Sequence, residues 1–134
     1  MSISDKYLAL VQNVLPVLFE NTNKAHRISS RIFNCHRIVS FIYGKRRFFD
    51  IFDLSSKTLK LPDTCEKRLI AEELIEFAKK YSDMLPVLIP CSEKAEAIVL
   101  EFSEELEAYY IIADPNVFEN SSPIESLARA IEKS

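Results

Sequence analysis

A single glycine, Gly44, serves a chain of 134 residues, where average usage would place roughly nine. Glycine lets backbone N–H groups close on a phosphate, because it has no Cβ and accepts positive φ. A glycine-rich nucleotide loop of the dinucleotide-binding or P-loop type is therefore excluded. What remains is an ordinary folding alphabet, 48% hydrophobic and 28% charged, with nine Phe and five Tyr. That suits one domain over residues 1–134 with one core, and it is too apolar for general disorder. No apolar run approaches the roughly 20 residues needed to span a bilayer. The three cysteines, Cys35, Cys65 and Cys91, are irregularly spaced, and the N-terminus lacks a signal-peptide pattern. We expect reduced thiols in a cytoplasmic protein.

Charge is unevenly spread. Met1–Pro62 holds ten Lys or Arg against four Asp or Glu, a net of +6, while Asp63–Ser134 holds seven against sixteen, a net of −9. The basic density peaks at Lys24, Arg27, Arg31, Arg37, Lys45, Arg46 and Arg47.

Hydrophobic periodicity organises the chain. Over Ser4–Phe19, the residues Tyr7, Leu10, Val11, Val14, Leu15 and Leu18 recur at helical steps, with a kink or break expected at Pro16. Asn21–Asn23 reads as a loop. Lys24–His36 reads equally as a basic amphipathic helix, with Ile28, Ile32 and Cys35 on one stripe, or as a strand starting near Arg27. Arg37–Tyr43 and Phe48–Leu54 are β-branched and aromatic runs around Gly44-Lys-Arg-Arg47, which predicts a β-hairpin, and Thr58–Leu61 adds a short strand. Asp63 with Glu66 predicts a capped helix that buries Ile70, Leu74, Phe77, Ala78 and Tyr81, with Glu76 and Lys80 paired on its wet side. Pro86–Ile89, Ala97–Phe102 and Tyr109–Ile112 read as a three-strand meander. Ser122-Pro123-Ile124-Glu125 opens a last helix that docks through Ile124, Leu127, Ala128 and Ile131.

The expected architecture is a single α+β domain, with an antiparallel sheet of about five strands (hairpin plus meander) flanked by helices. Its element order resembles the roadblock and longin domains, most closely over Pro86–Ser134, where the meander closes at Ile112-Ala-Asp-Pro115. GAF-like sensor domains and the acidic chaperones of bacterial secretion systems share much of that order. The resemblance implies an adaptor or regulatory subunit, and topology by itself does not fix function.

Candidate chemistries are few. Cys35, His36, His26, Cys65 and Cys91 lack the doubled two-to-four-residue spacing of a zinc site, so no metal is expected. No cysteine carries a nucleophile signature, although Cys65 falls in the first turn of a helix that could lower its pKa. The pairs Glu72 with Glu73 and Glu104 with Glu105 read as solvated, and Asp50 and Asp53 alternate across a strand, so no catalytic residue and no cofactor are expected. The leading expectation is a non-enzymatic interaction domain, a dimer or a subunit of a complex, docking through the basic residues Lys24, Arg27, Arg31, Arg37, Lys45, Arg46 and Arg47. The alternative is a nucleic-acid binder using the same residues, with Tyr43 and Phe48 stacking on bases. A further alternative is a small acidic inhibitor or chaperone that masks a partner's basic surface through Glu101, Glu104, Glu105 and Glu107.

Overall fold

The computed structural model describes residues 13–45, 53–59, 66–120 and 122–133. Strand β1, Val14–Phe19, leads to helix α1, Asn23–His36; β2, Ser40–Tyr43, and β3, Ser56–Leu59, precede α2, Lys67–Lys79. Strand β4, Leu85–Pro90, is followed by α3, Glu93–Glu101, and α4, Ser103–Glu107; β5, Ile111–Ile112, precedes α5, Pro115–Asn120, and α6, Pro123–Lys133. The five strands form one sheet in the order β3-β2-β1-β4-β5. All four pairings are parallel. Five strands flanked by helices agree with the sequence reading, but its antiparallel sheet is overturned. No meander exists, and β2 is flanked on both edges by parallel strands, which leaves no edge for an antiparallel hairpin partner. Most of the proposed second hairpin strand, like Arg46, Arg47, Phe48 and Asp50, lies outside the described residues.

The parallel sheet explains the misreading. A strand buried on both faces is a continuous apolar run instead of an alternating one. Val-Leu-Pro-Val-Leu-Phe in β1 is buried at every position, so its apolar residues also satisfy a helical template. Val14 and Leu18 pack on one face with Ile28 and Ile32 of α1 and with Phe118 and Leu127. Val17 and Phe19 pack on the other with Leu74 of α2 and Ile98 of α3. Ala97–Phe102, expected as a strand, is helical, because Ala95, Ile98, Val99 and Phe102 are the buried positions and follow a three- and four-residue step.

Proline placement shows how β1 and β4 tolerate central positions. Successive residues of a strand turn their N–H groups to alternate edges. Glu20 N–H donates to Tyr43 O at 2.8 Å, so the even-numbered residues of β1, Pro16 included, face β2. Pairing with β2 begins only at Val17, so no ladder bond is lost at Pro16. In β4, Cys91 N–H donates to Phe19 O and Leu85 N–H to Asn13 O, both at 2.9 Å, which turns Pro86 and Pro90 toward β5. Strand β5 pairs only with Val87 and Leu88, between those two prolines. The prolines thus set the length of β5.

Helices α1, α3 and α6 each start under a hydroxyl cap. Thr22 Oγ1 accepts from Ala25 N–H at 3.2 Å, Ser92 Oγ from Ala95 N–H at 3.0 Å, and Ser122 Oγ from Glu125 N–H at 3.3 Å. The segment 24–36, ambiguous in sequence, is helical. Helix α2 buries Ile70, Leu74 and Ala78, while Phe77 and Tyr81 meet the Phe41 ring at 5.0 and 6.0 Å. Glu76 pairs with Lys79 at 3.3 Å instead of Lys80, and Asp63 lies outside the described residues. Helix α6 begins as expected and packs Leu127 and Ile131 into the core; Glu66 rather than Asp63 precedes the first turn of α2.

Candidate functional site

The chain leaves β1 on one face of the sheet, through α1, and leaves β4 on the other, through α3. The strand order reverses between them, and in open parallel sheets ligands bind beyond the carboxyl ends of the strands near such a reversal. Here the two loops at that point are joined. Thr22 Oγ1 donates to Cys91 O at 3.2 Å. Glu20, at φ 94°, holds a left-handed conformation uncommon for a residue with a Cβ. Gly44 makes a close approach there: a Cβ on it would lie 2.8 Å from the Asn21 backbone nitrogen.

A cleft of about 550 Å³ lies at the carboxyl ends of β4 and β5. Glu96, Val99, Leu100, Ser103 and Glu107 of α3 and α4 form one wall; Val117, Phe118, Arg129 and Ala130 of α5 and α6 form the other. Pro90, Ile112, Ala113 and Asp114 line the base between them. Ser126 also reaches the lining, but its hydroxyl lies 3.2 Å from Val117 O and 3.0 Å from Ser122 O, and it can donate to one of these carbonyls at a time. Asp114 Oδ1 accepts from Asn116 N–H at 2.9 Å. Glu96, Glu107 and Arg129 enter none of the ion pairs among the described residues.

A second polar cluster ties α1 to the segment before β3. His26 Nδ1 lies 2.5 Å from Asp53 Oδ2, and His26 Nε2 lies 2.8 Å from Asn21 Oδ1. Asn21 Nδ2 donates to Lys45 O at 2.9 Å. Asp53 also accepts from Ser55 N–H at 2.8 Å and from the Ser56 hydroxyl at 2.9 Å, and Ser55 Oγ lies 2.9 Å from Ser29 Oγ. Burial works to raise the Asp53 pKa, but the hydrogen bonds from Ser55, His26 and Ser56 outweigh it and hold the carboxyl below its usual range. Both imidazole nitrogens are engaged, so the cluster works as a clasp between α1 and the β2–β3 connection.

Of the basic residues singled out in the sequence, Lys24, Arg27 and Arg31 lie on α1, all close enough to act on Glu119, and Arg46 and Arg47 lie outside the described residues. Arg27 forms two bonds to the Glu119 carboxylate, at 3.1 and 3.3 Å, and Arg31 donates to Glu119 O at 2.7 Å. These bonds from Arg27 hold the Glu119 carboxyl below its usual range. Arg37 caps the far end of α1 over the Phe33 ring, about 20 Å from Lys24 at 1.5 Å per residue. Lys45 is exposed at the carboxyl end of β2. Tyr43 is only 3% exposed and meets Phe19 edge-on at 5.9 Å, so its ring has no free face for a base. On the acidic side, Glu105 pairs with Arg68 at 3.2 Å and Glu101 with Lys67 at 3.8 Å. Glu104 and Glu107 are exposed on α4.

Cys35 is exposed and Cys91 buried. Burial pushes the Cys91 thiol up to about 12, and its Sγ–H donates to Ile89 O at 3.3 Å. Burial thus favours the neutral thiol, the less nucleophilic form. Among the described residues no three His, Cys, Asp or Glu side chains gather in a way that would hold a metal ion, and no helix is long and apolar enough to cross a membrane.

Neither family models, curated proteins nor solved structures give a match to this chain. The functional reading rests on the cleft. Sequence reasoning missed it because its lining is scattered from Pro90 to Ala130 over six elements. The detectable signal was the set of continuous apolar runs, which implies a parallel sheet and hence a carboxyl-edge site.

Proposed function

We propose that this protein is a binding domain for a small molecule, held in the cleft at the carboxyl ends of β4 and β5. The observation that carries the reading is the coincidence of position and size. The cleft stands beside the reversal of strand order, and about 550 Å³ falls within the range of roughly 300–1,000 Å³ typical of ligand pockets. Apolar groups from Val99, Ile112 and Val117 give it the mostly apolar lining of such sites, with a few charged residues around them. The test is a fragment screen followed by amide chemical-shift mapping. Shifts centred on Ile112, Val117 and Ala130 are expected; a perturbed set centred on another surface would refute the reading.

Docking of a protein partner is the second reading, favoured by one observation. Leu100 is 78% exposed and Tyr109 is 40% exposed, both on the side of the sheet that carries Glu104 and Glu107. A partner with a basic, partly apolar surface would cover them, and light scattering across a concentration series would show whether that partner is a second copy. For the nucleic-acid alternative, Tyr43 is buried and offers no stacking face, while Arg46, Arg47 and Phe48 lie outside the described residues.

A further inference from the structure

We propose that the ligand of the cleft is a small zwitterion with an apolar body, of the size and chemistry of a short peptide, an inference that rests on the cleft being the binding site. Three carboxylates and one guanidinium line this space: Glu96, Glu107 and Asp114 against Arg129. Glu96 and Glu107 belong to the wall built on one face of the sheet, and Arg129 to the wall built on the other. No ion pair closes between them. Charges of opposite sign, held on opposed walls over a base that is apolar except for Asp114, are complemented by a molecule that carries both charges at its ends. Its ammonium group meets the Glu96–Glu107 wall and its carboxylate meets Arg129, whose planar fork suits a carboxylate bidentately.

The excess of carboxylates argues against a nucleotide or other polyanion. A phosphate would meet one guanidinium and three like charges, without a glycine-rich loop to offer backbone donors. A purely apolar ligand would leave Arg129 and the carboxylates to be desolvated without partners, which is costly. A simple amine would satisfy one wall only. The zwitterion puts a charge of the right sign on each wall, while Asp114 is met by the Asn116 N–H. The apolar contacts from Val99, Ile112 and Val117 then select for aliphatic side chains.

Titration of leucyl-leucine, leucyl-leucine amide and N-acetyl-leucyl-leucine, followed by calorimetry and by amide shifts, separates the charges. The free dipeptide is expected to bind about tenfold more tightly than either capped form. Arg129→Gln should remove its advantage over the amide while leaving amide binding unchanged. Glu96→Gln combined with Glu107→Gln should remove its advantage over the acetylated form. All of these side chains are exposed, so the variants should fold, and circular dichroism checks that they do. Equal binding of the three compounds, or no binding of the dipeptide up to about 10 mM, a very weak limit, overturns the inference. If uncharged or anionic fragments still shift Val117 and Ala130 in that event, only the ligand class has failed. If nothing shifts them, the cleft reading has failed as well.

Discussion

Replacing one hydrogen of Gly44 with a methyl group tests how closely the carboxyl ends of β1 and β2 are joined. The new Cβ would sit 2.8 Å from Asn21 N and 3.1 Å from Asn21 Cβ, so backbone would have to shift. Gly44→Ala should lower stability by about 1–3 kcal/mol, the usual cost of overpacking, read as a lower urea midpoint at unchanged slope. The sequence marked this glycine as a hairpin turn, whereas the close approach needed the loop after β1 to be in place. Asp53 offers a test with pH. Its folded pKa lies below the ordinary 3.8, so its contribution is fully present above that value and is lost as pH falls through the folded pKa. Asp53→Asn should cost about 1–3 kcal/mol near neutrality, and the gap to the wild type should narrow on acidification below pH 4. Denaturation curves over a pH series measure both. Cysteine labelling supplies the third residue test: Cys35 should alkylate readily in the native protein, and Cys91, with its thiol pushed up to about 12, only after unfolding, as peptide mass spectrometry would show.

Among the elements, α1 and α3 depend on their first residues. Thr22 caps α1 and also reaches Cys91 O, whereas Ser92 makes one cap bond, to Ala95 N–H. Thr22→Ala should therefore cost more than Ser92→Ala, about 2 against about 1 kcal/mol, and comparison of the two melting curves decides it. Cap chemistry is local, which is why the Ser122-Pro123-Glu125 start of α6 was legible in the sequence. The same local pattern was present at Thr22 and at Ser92, but those residues sat in what read as a loop and as a charged spacer. The strands were harder to read for a different reason. A run such as Val14–Phe19 declares burial but not period, and Pro16, read as a kink in a helix, fits a central strand because the β2 pairing starts only at Val17.

For the whole molecule, the parallel sheet sets the order of stability. β1 and β4 share the longest register, from Val14 with Leu85 to Phe19 with Pro90, with neighbours on both edges. Native-state hydrogen exchange should be slowest at Val17, Leu18, Val87 and Leu88 and faster in the edge strand β3, because exchange reports local opening. The +6 and −9 halves visible in the sequence touch at one point: Arg27 of the first pairs with the Glu119 carboxylate of the second, and Arg31 donates to the Glu119 carbonyl. By itself the sequence determined the apolar runs that must be buried, the scarcity of glycine that excludes a phosphate loop, and the short polar signals that start helices. These depend on neighbours within a few residues. The parallel pairing, the pooling of Glu96, Glu107 and Arg129 around one cleft, and the clasp of His26 on Asp53 were decided only by tertiary structure. Each requires residues distant in sequence to meet, and strand direction follows from how the helices pack across both faces of the sheet.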